Sequence, residues 1–208
     1  LLRHAESEKN KKKIHGGHGE ALTLHGIEQA SAIAVYLQNS INCNNLKIYT
    51  STSLHTTATA EIIADSLHKP LEKPLFFRPL YLGVADGVSE YDLQKLYPEV
   101  HRLFLKWRKQ EIDIKQLIVP DMESYRIFWK RGIEVLKSFD TLNNCLVVCS
   151  NSLMILLTHI MLLHDPVDTN AYKHIPINNC DIIAFDVYSV DKYILDQELT
   201  TVPLKYLC

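Results

Sequence analysis

One stretch constrains the fold more than any other: the continuous apolar run Cys145-Leu146-Val147-Val148-Cys149. Five apolar residues without alternation describe a strand covered on both faces, as in a parallel sheet held between helices. The rest of the chain repeats the same punctuation of strand, polar turn and helix. Leu46 to Thr50 alternates like a strand, Ser51-Thr52-Ser53 turns it, and Ala58 to Leu67 reads as a helix. Upstream, Thr23 is placed to cap a helix over Gly26 to Gln38, in which Ile27, Ala30, Ala34 and Leu37 recur at helical spacing. Phe76 to Tyr81 is a third apolar run, broken by Gly83 and Gly87, and Ser89 opens a short helix carrying Tyr91, Leu93 and Tyr97. A basic and aromatic helix follows from Val100 to Arg108, and Met122 to Phe139 is the longest periodic segment. After Ser150-Asn151-Ser152 an apolar helix runs from Leu153 to Leu163, and Ile182 to Val187 and Tyr193 to Leu195 predict two closing strands, antiparallel neighbours. The alternation predicts the α/β class: a three-layer sandwich, a mostly parallel central sheet flanked by helices.

Length and charge narrow the class further. At 208 residues, 47% hydrophobic, the chain suits one compact domain over 1–208, without repeats or an internal boundary. A net charge of −2 gives no general attraction to nucleic acid or to anionic membranes, so neither is an expected partner and any positive site is local. The five cysteines are scattered and odd in number, which argues for reduced thiols and a cytoplasmic protein. No apolar run reaches membrane-spanning length, and these residues are not expected to include a secretory signal pattern. The sequence starts without Met, inside what reads as a strand, which predicts a fragment or the C-terminal domain of a longer chain.

That first strand carries the chemistry. Leu1-Leu2 runs straight into Arg3-His4-Ala5-Glu6-Ser7, so a fixed cation sits beside an imidazole at the end of a parallel strand, where open α/β sheets bind ligands. A phosphate is the expected guest, and imidazole can also attack a phosphoryl group while cations offset the charge on its oxygens. The segment that follows, Lys9-Asn10-Lys11-Lys12-Lys13, reads as a solvated charge run, and His15-Gly16-Gly17-His18-Gly19-Glu20 as a glycine loop able to approach a ligand closely.

Taken together, Leu2 to Ser7, Gly16-Gly17, Leu22-Thr23 with Gly26 and Gln29-Ala30, Tyr49-Thr50-Ser51 with Thr59-Ala60-Glu61, and Val147 to Ser150 resemble the histidine phosphatase, or phosphoglycerate mutase-like, superfamily. Asn45 to Ser51, Leu96-Tyr97-Pro98-Glu99 and Glu123-Ser124-Tyr125 look most like the fructose-2,6-bisphosphatase domain of bifunctional phosphofructokinase-2 enzymes. The resemblance implies a phosphoglycerate mutase-like fold, a sugar phosphate or similar phosphorylated small molecule as ligand, an N-terminal kinase domain as possible partner, and no cofactor or metal. It also implies that His4 is the phosphorylated residue with Arg3 beside it, and that Asn10, Gly17 and Tyr125 contact substrate or phosphate, with Arg108 near a basic position. The remaining catalytic positions are substituted. His55 stands where a second Arg is expected, Pro79 where the general-acid Glu is expected, and Asn151 where the second His is expected. An Arg expected one helical turn further falls on Leu156.

These replacements change what the pocket can do. Phosphoryl transfer depends on in-line attack and clamped equatorial oxygens. His55 is a cation only below a reference pKa of ~6.5, Asn151 offers one neutral hydrogen bond about half as strong as a charge-assisted one, and Pro79 delivers no proton. The expectation is a degenerate phosphatase that binds a phosphorylated ligand or regulates an attached 6-phosphofructo-2-kinase, with weak or no turnover. The alternative is a working phosphomonoesterase or mutase that uses His4 and a non-standard acid, for which Glu20, Asp86 and Glu90 are candidates, with His18 as a second His. Activity of that kind is expected to fall above about pH 6.5 as His55 loses its charge. Other features read as structural. His159 and His164 lie five apart, roughly 140° around a helix, and Cys145 and Cys149 are buried thiols. Lys106-Trp107-Arg108-Lys109 reads as a helix cap over an anionic pocket.

Overall fold

The computed structural model describes residues 1–17, 19–72, 78–139, 144–162 and 172–185, together with the backbone of 205–207. Its elements run β1 (Leu2–Arg3), α1 (Glu8–Lys11), α2 (Leu24–Ser40), β2 (Lys47–Thr50), α3 (Leu54–Ser66), α4 (Glu90–Leu96), α5 (Pro98–Arg108), α6 (Tyr125–Leu136), β3 (Cys145–Cys149), α7 (Asn151–Met161), β4 (Ile182–Ala184) and β5 (Lys205–Leu207). The strands form one mixed, mostly parallel sheet in the order β2-β3-β1-β4-β5. β3 is its centre, pairing parallel with β2 (Tyr49 opposite Val147) and with β1 (Leu2 opposite Val148). β4 runs antiparallel to β1 and to β5.

The apolar run at 145–149 is buried on both faces for the expected reason. Leu146 and Val148 point into a core with Leu2, Ile48, Ala34, Leu37, Ile63 and Ala64, which is the layer of α2 and α3. Val147 and Cys149 point the other way, into a core with Phe104, Phe128, Leu153 and Leu157, which is the layer of α5, α6 and α7. α7 is buried all round from Leu153 to Met161, so at ~1.5–3 kcal/mol for each large apolar side chain it anchors the second layer.

Local signals set most boundaries. Thr23 caps α2, its Oγ1 accepting from the Gly26 amide at 2.9 Å, and Pro98 opens α5 at the position where its missing N–H costs nothing. α3 begins four residues before the expected Ala58, which brings His55 inside the helix. Ile27 is 43% exposed rather than core, because the close helix face is made by Gly26, Ala30, Ala34 and Leu37. The expected cationic loop after Ser7 contains the short helix α1, stabilised by a reciprocal cap between Ser7 and Asn10. Of the expected strand over 76–81, residues 78–81 are not strand, and 76–77 lie outside the described residues, as do 193–195. The antiparallel partner of β4 is β5.

Candidate active site

The carboxyl ends of the three parallel strands meet at one place. The His4 amide donates to the Cys149 carbonyl at 3.1 Å and the Ser51 amide to the Val148 carbonyl at 3.1 Å, so the residues leaving β1, β2 and β3 emerge side by side. There His4 and His55 lie in ring contact, their centroids 4.0 Å apart, and both are almost fully buried, at 3% and 1% exposure. His4 Nδ1 is 2.8 Å from the Ala5 carbonyl oxygen. A carbonyl only accepts, so Nδ1 carries the proton and Nε2 is left with its lone pair, the arrangement a nucleophilic imidazole requires.

Electrostatics keep both rings neutral. Burial, then the neighbouring His55, hold His4 well below the ordinary histidine range; the bond to Ala5 opposes this, and Arg3 and Lys9 add to it. Burial, with the charges of Lys9 and Arg3, brings His55 down to about 4. The expected loss of a His55 charge near pH 6.5 is therefore corrected: at neutral pH residue 55 supplies a neutral imidazole, because burial and two cations already disfavour its proton.

Arg3 is held from behind, one guanidinium nitrogen donating to the Ile177 carbonyl while Nε is buried without a partner among the described residues. His55 Nδ1 and Asn151 Oδ1 are also buried and unpartnered among the described residues. Asn151 opens α7 directly after β3. Pro79 stands one residue before Leu80, whose amide donates to Ser152 Oγ at 3.3 Å, so the 78–80 segment reaches the same helix start. Gly17 donates its amide to Asp86 Oδ2 at 2.9 Å, and a Cβ on Gly19 would stand 2.4 Å from His55 Nδ1, which seats the glycine loop against the dyad. Asn10 spends its Oδ1 on the Ser7 amide and hydroxyl. Tyr125 opens α6, its hydroxyl accepting from Arg126 Nε at 3.3 Å, and no described contact joins it to Arg3 or His4.

The candidate substitute acids are mostly occupied. Asp86 accepts backbone amides on both oxygens, from Gly17 and Leu82. Burial would raise Glu90, but Arg108, His101 and His15 outweigh it and hold it at about 2. A further carboxylate outside those candidates, Glu123, is 5% exposed at its side chain and gripped by Arg131 through two bonds of 2.7 and 2.9 Å. Glu20 pairs with exposed Lys12 at 2.8 Å. His18 and His164 lie outside the described residues.

Two contributors were missed in the sequence. Asn179 donates through Nδ2 to the His4 carbonyl at 2.8 Å and to Asn10 Oδ1 at 3.2 Å, tying β4's approach to the loop that carries His4. Its only sequence signal is the Asn-Asn turn before a strand. Lys9, read as part of a solvated run, is half-buried near Arg3, and Asp86, Glu20 and Arg3 all act on its charge.

Residues 1–198 match the histidine phosphatase superfamily (branch 1), and the chain belongs to this family. Similar solved structures include YhfR of Bacillus stearothermophilus, with 18% identity and TM-score 0.71, covering 89% of this chain and 88% of that one. A mycobacterial glucosyl-3-phosphoglycerate phosphatase matches over 99% and 94% at 18% identity and TM-score 0.69. A phosphoglycerate mutase from Bacillus anthracis matches over 88% and 85% at 18% identity and TM-score 0.67. They share the phosphoglycerate mutase-like fold, and no described helix is long and apolar enough to cross a membrane.

The buried dyad has a consequence for stability. Both histidines are neutral when folded and protonate near ~6.5 when unfolded. Their depressed folded pKa values make stability complete above that value and lower it as pH falls from about 6.5 toward 4, by up to ~1.4 kcal/mol per pH unit for each ring. Denaturant unfolding between pH 7.5 and 4.5 should show this slope, and His55→Gln should remove part of it. A slope unchanged by that substitution would place the proton uptake elsewhere.

Proposed function

We propose that the chain is a phosphoester-binding domain of the histidine phosphatase family whose turnover is weak or lost. The reading includes a kinship with fructose-2,6-bisphosphatase domains, a sugar phosphate as ligand, a regulatory role toward an attached 6-phosphofructo-2-kinase, and a cytoplasmic location. One observation carries it. The ligand-facing half of the site is intact, with Arg3 beside an oriented His4 Nε2, while the position for the proton donor is Pro79 and the carboxylates of Asp86, Glu90 and Glu123 are committed to structural partners. A site of this kind holds a phosphate but does not protonate a leaving oxygen. The bisphosphatase kinship draws on Asn45 to Ser51, Leu96 to Glu99 and Glu123 to Tyr125.

The neutral His4 Nε2 favours a second reading, a phosphomonoesterase or mutase that forms a phosphohistidine there. Incubation with fructose 2,6-bisphosphate labelled at phosphate, quenched in alkaline detergent, separates the two. The expected result is no retained label and a ligand-dependent rise in melting temperature that Arg3→Ala removes, since a ligand that binds only the folded state stabilises it by ~2.7 kcal/mol at 100 times its Kd. Label held by the wild-type protein and absent from His4→Ala would establish the second reading instead.

A further inference from the structure

The lysines at 9, 11, 12 and 13 are not equivalent. Lys11, Lys12 and Lys13 are exposed, and Lys12 has Glu20 as partner. Lys9 is half-buried on α1, a helix whose direction is fixed twice over, by the Ser7–Asn10 cap and by Asn179, which bonds Asn10 and the His4 carbonyl together. The charges of Arg3, Asp86 and Glu20 act on its ammonium, and its own charge acts on His4 and His55. Neither carboxylate closes onto it. Asp86 accepts from the Gly17 and Leu82 amides, Glu20 bonds Lys12, and among the described residues Lys9 makes no hydrogen bond or ion pair.

A half-buried ammonium with three donor hydrogens and no acceptor is an unfinished site. It does not stand alone. Among the described residues Arg3 Nε, His55 Nδ1 and one acceptor, Asn151 Oδ1, are also buried and unpartnered. Two cations and a neutral ring nitrogen left without partners, together with a single open acceptor, match a phosphate monoester: its ionised oxygens take the donors, and a protonated oxygen can donate to Asn151. Carboxylates offer fewer oxygens, and an apolar guest would leave every one of these groups unsatisfied.

We propose that Lys9 is the second fixed cation of the phosphate pocket, supplying charge there together with Arg3. The inference rests on the phosphate-binding reading above and adds the residue that makes it workable. With two fixed cations the pocket takes a phosphate dianion without a charge on His55. Lys9 is therefore a binding residue. Because its ammonium is a mobile point charge rather than a planar fork, it neutralises the anion without imposing bidentate geometry.

Calorimetric titration of the full chain with inorganic phosphate at pH 7.5 tests this. Lys9→Met is expected to weaken binding by about tenfold or more, the usual cost of a lost charge-assisted hydrogen bond. Lys9→Arg should recover most of the affinity, and Lys11→Met, on the exposed side of the same helix, should bind as wild type does. Melting curves identify any variant that fails to fold. Lys9→Met binding like wild type while Arg3→Ala has lost binding would overturn the role of Lys9 and leave the pocket standing. A Lys9→Arg protein that melts normally but does not bind would also overturn it. Wild-type protein that takes up no phosphate would remove the phosphate-binding reading, and Lys9 with it.

Discussion

The triple variant His55→Arg, Pro79→Glu, Asn151→His will hydrolyse phosphomonoesters about 10²–10⁴ times faster than the parent chain, the usual range for regained general-acid help. That corresponds to roughly 3–5 kcal/mol of barrier. Each position is already in place. His55 touches His4 at 4.0 Å between centroids, Asn151 begins the helix that follows the central strand, and the segment at 79 is joined to that helix through Leu80 and Ser152. Arg131 holds the same segment by donating to the carbonyls of Arg78 at 3.0 Å and Pro79 at 3.4 Å, so a carboxyl introduced at 79 enters a braced backbone. On the proposed reading His4 itself needs no change, because its Nδ1 is already fixed by the Ala5 carbonyl. The gain must vanish when His4→Ala is added, since a rate that survives that change arises elsewhere. A folded triple variant with no His4-dependent turnover would mean that something other than these three residues silences the site. A parent chain that is already fast would mean that nothing silences it.

What the sequence disclosed follows from how local each signal is. The central strand and α7 were legible because an unbroken apolar run has few other uses, and the position of Arg3-His4 followed from the strand before it. The short helix α1 was hidden by its lysines. Its cap closes with Asn10, which reads as a turn residue, and a four-residue helix leaves no periodicity to detect. The third apolar run misled for the opposite reason: hydrophobic composition over 76–81 resembles a strand, yet its described part is a connection braced by side chains from α6 and α7. The charge state of His55 was beyond the sequence altogether. Residue type sets a reference pKa, but the shift to about 4 comes from burial and from Lys9 and Arg3, which are distant in sequence and brought near only by the crossover from β1 to β2. Lys9 was misjudged by its neighbours. Four lysines in five residues read as a solvated patch, and only the fixed direction of α1 singles one of them out.

Gly26→Ala will destabilise the protein by about 2 kcal/mol or more and loosen the loop that carries His4, although alanine is ordinarily the better helix residue by ~1 kcal/mol. Gly26 lies in the first turn of α2, where its amide bonds Thr23 Oγ1. Thr23 in turn donates to Glu6 Oε1 at 2.8 Å, and its amide donates to the Glu6 carbonyl at 3.0 Å. The helix start is thus docked on the backbone two residues after His4. A Cβ at 26 would fall 2.0 Å from the Glu6 carbonyl oxygen, 2.9 Å from its carbon and 3.2 Å from its nitrogen. All three atoms are main chain and cannot rotate away. To make room, either α2 withdraws from a core that includes Ala34 and Leu37, or the Ala5 to Ser7 segment moves and takes with it the carbonyl that fixes the His4 tautomer. Denaturant unfolding measures the first cost, and phosphate titration of the surviving folded protein measures the second. Substituting Ala at exposed Leu24, in the same first turn, separates the clash from any general sensitivity of the helix end. A Gly26→Ala protein that is more stable than wild type and binds phosphate unchanged would show that α2 does not hold the loop that carries His4, and that the order there comes from other bonds, those of Asn179, Cys149 and Thr59 among them.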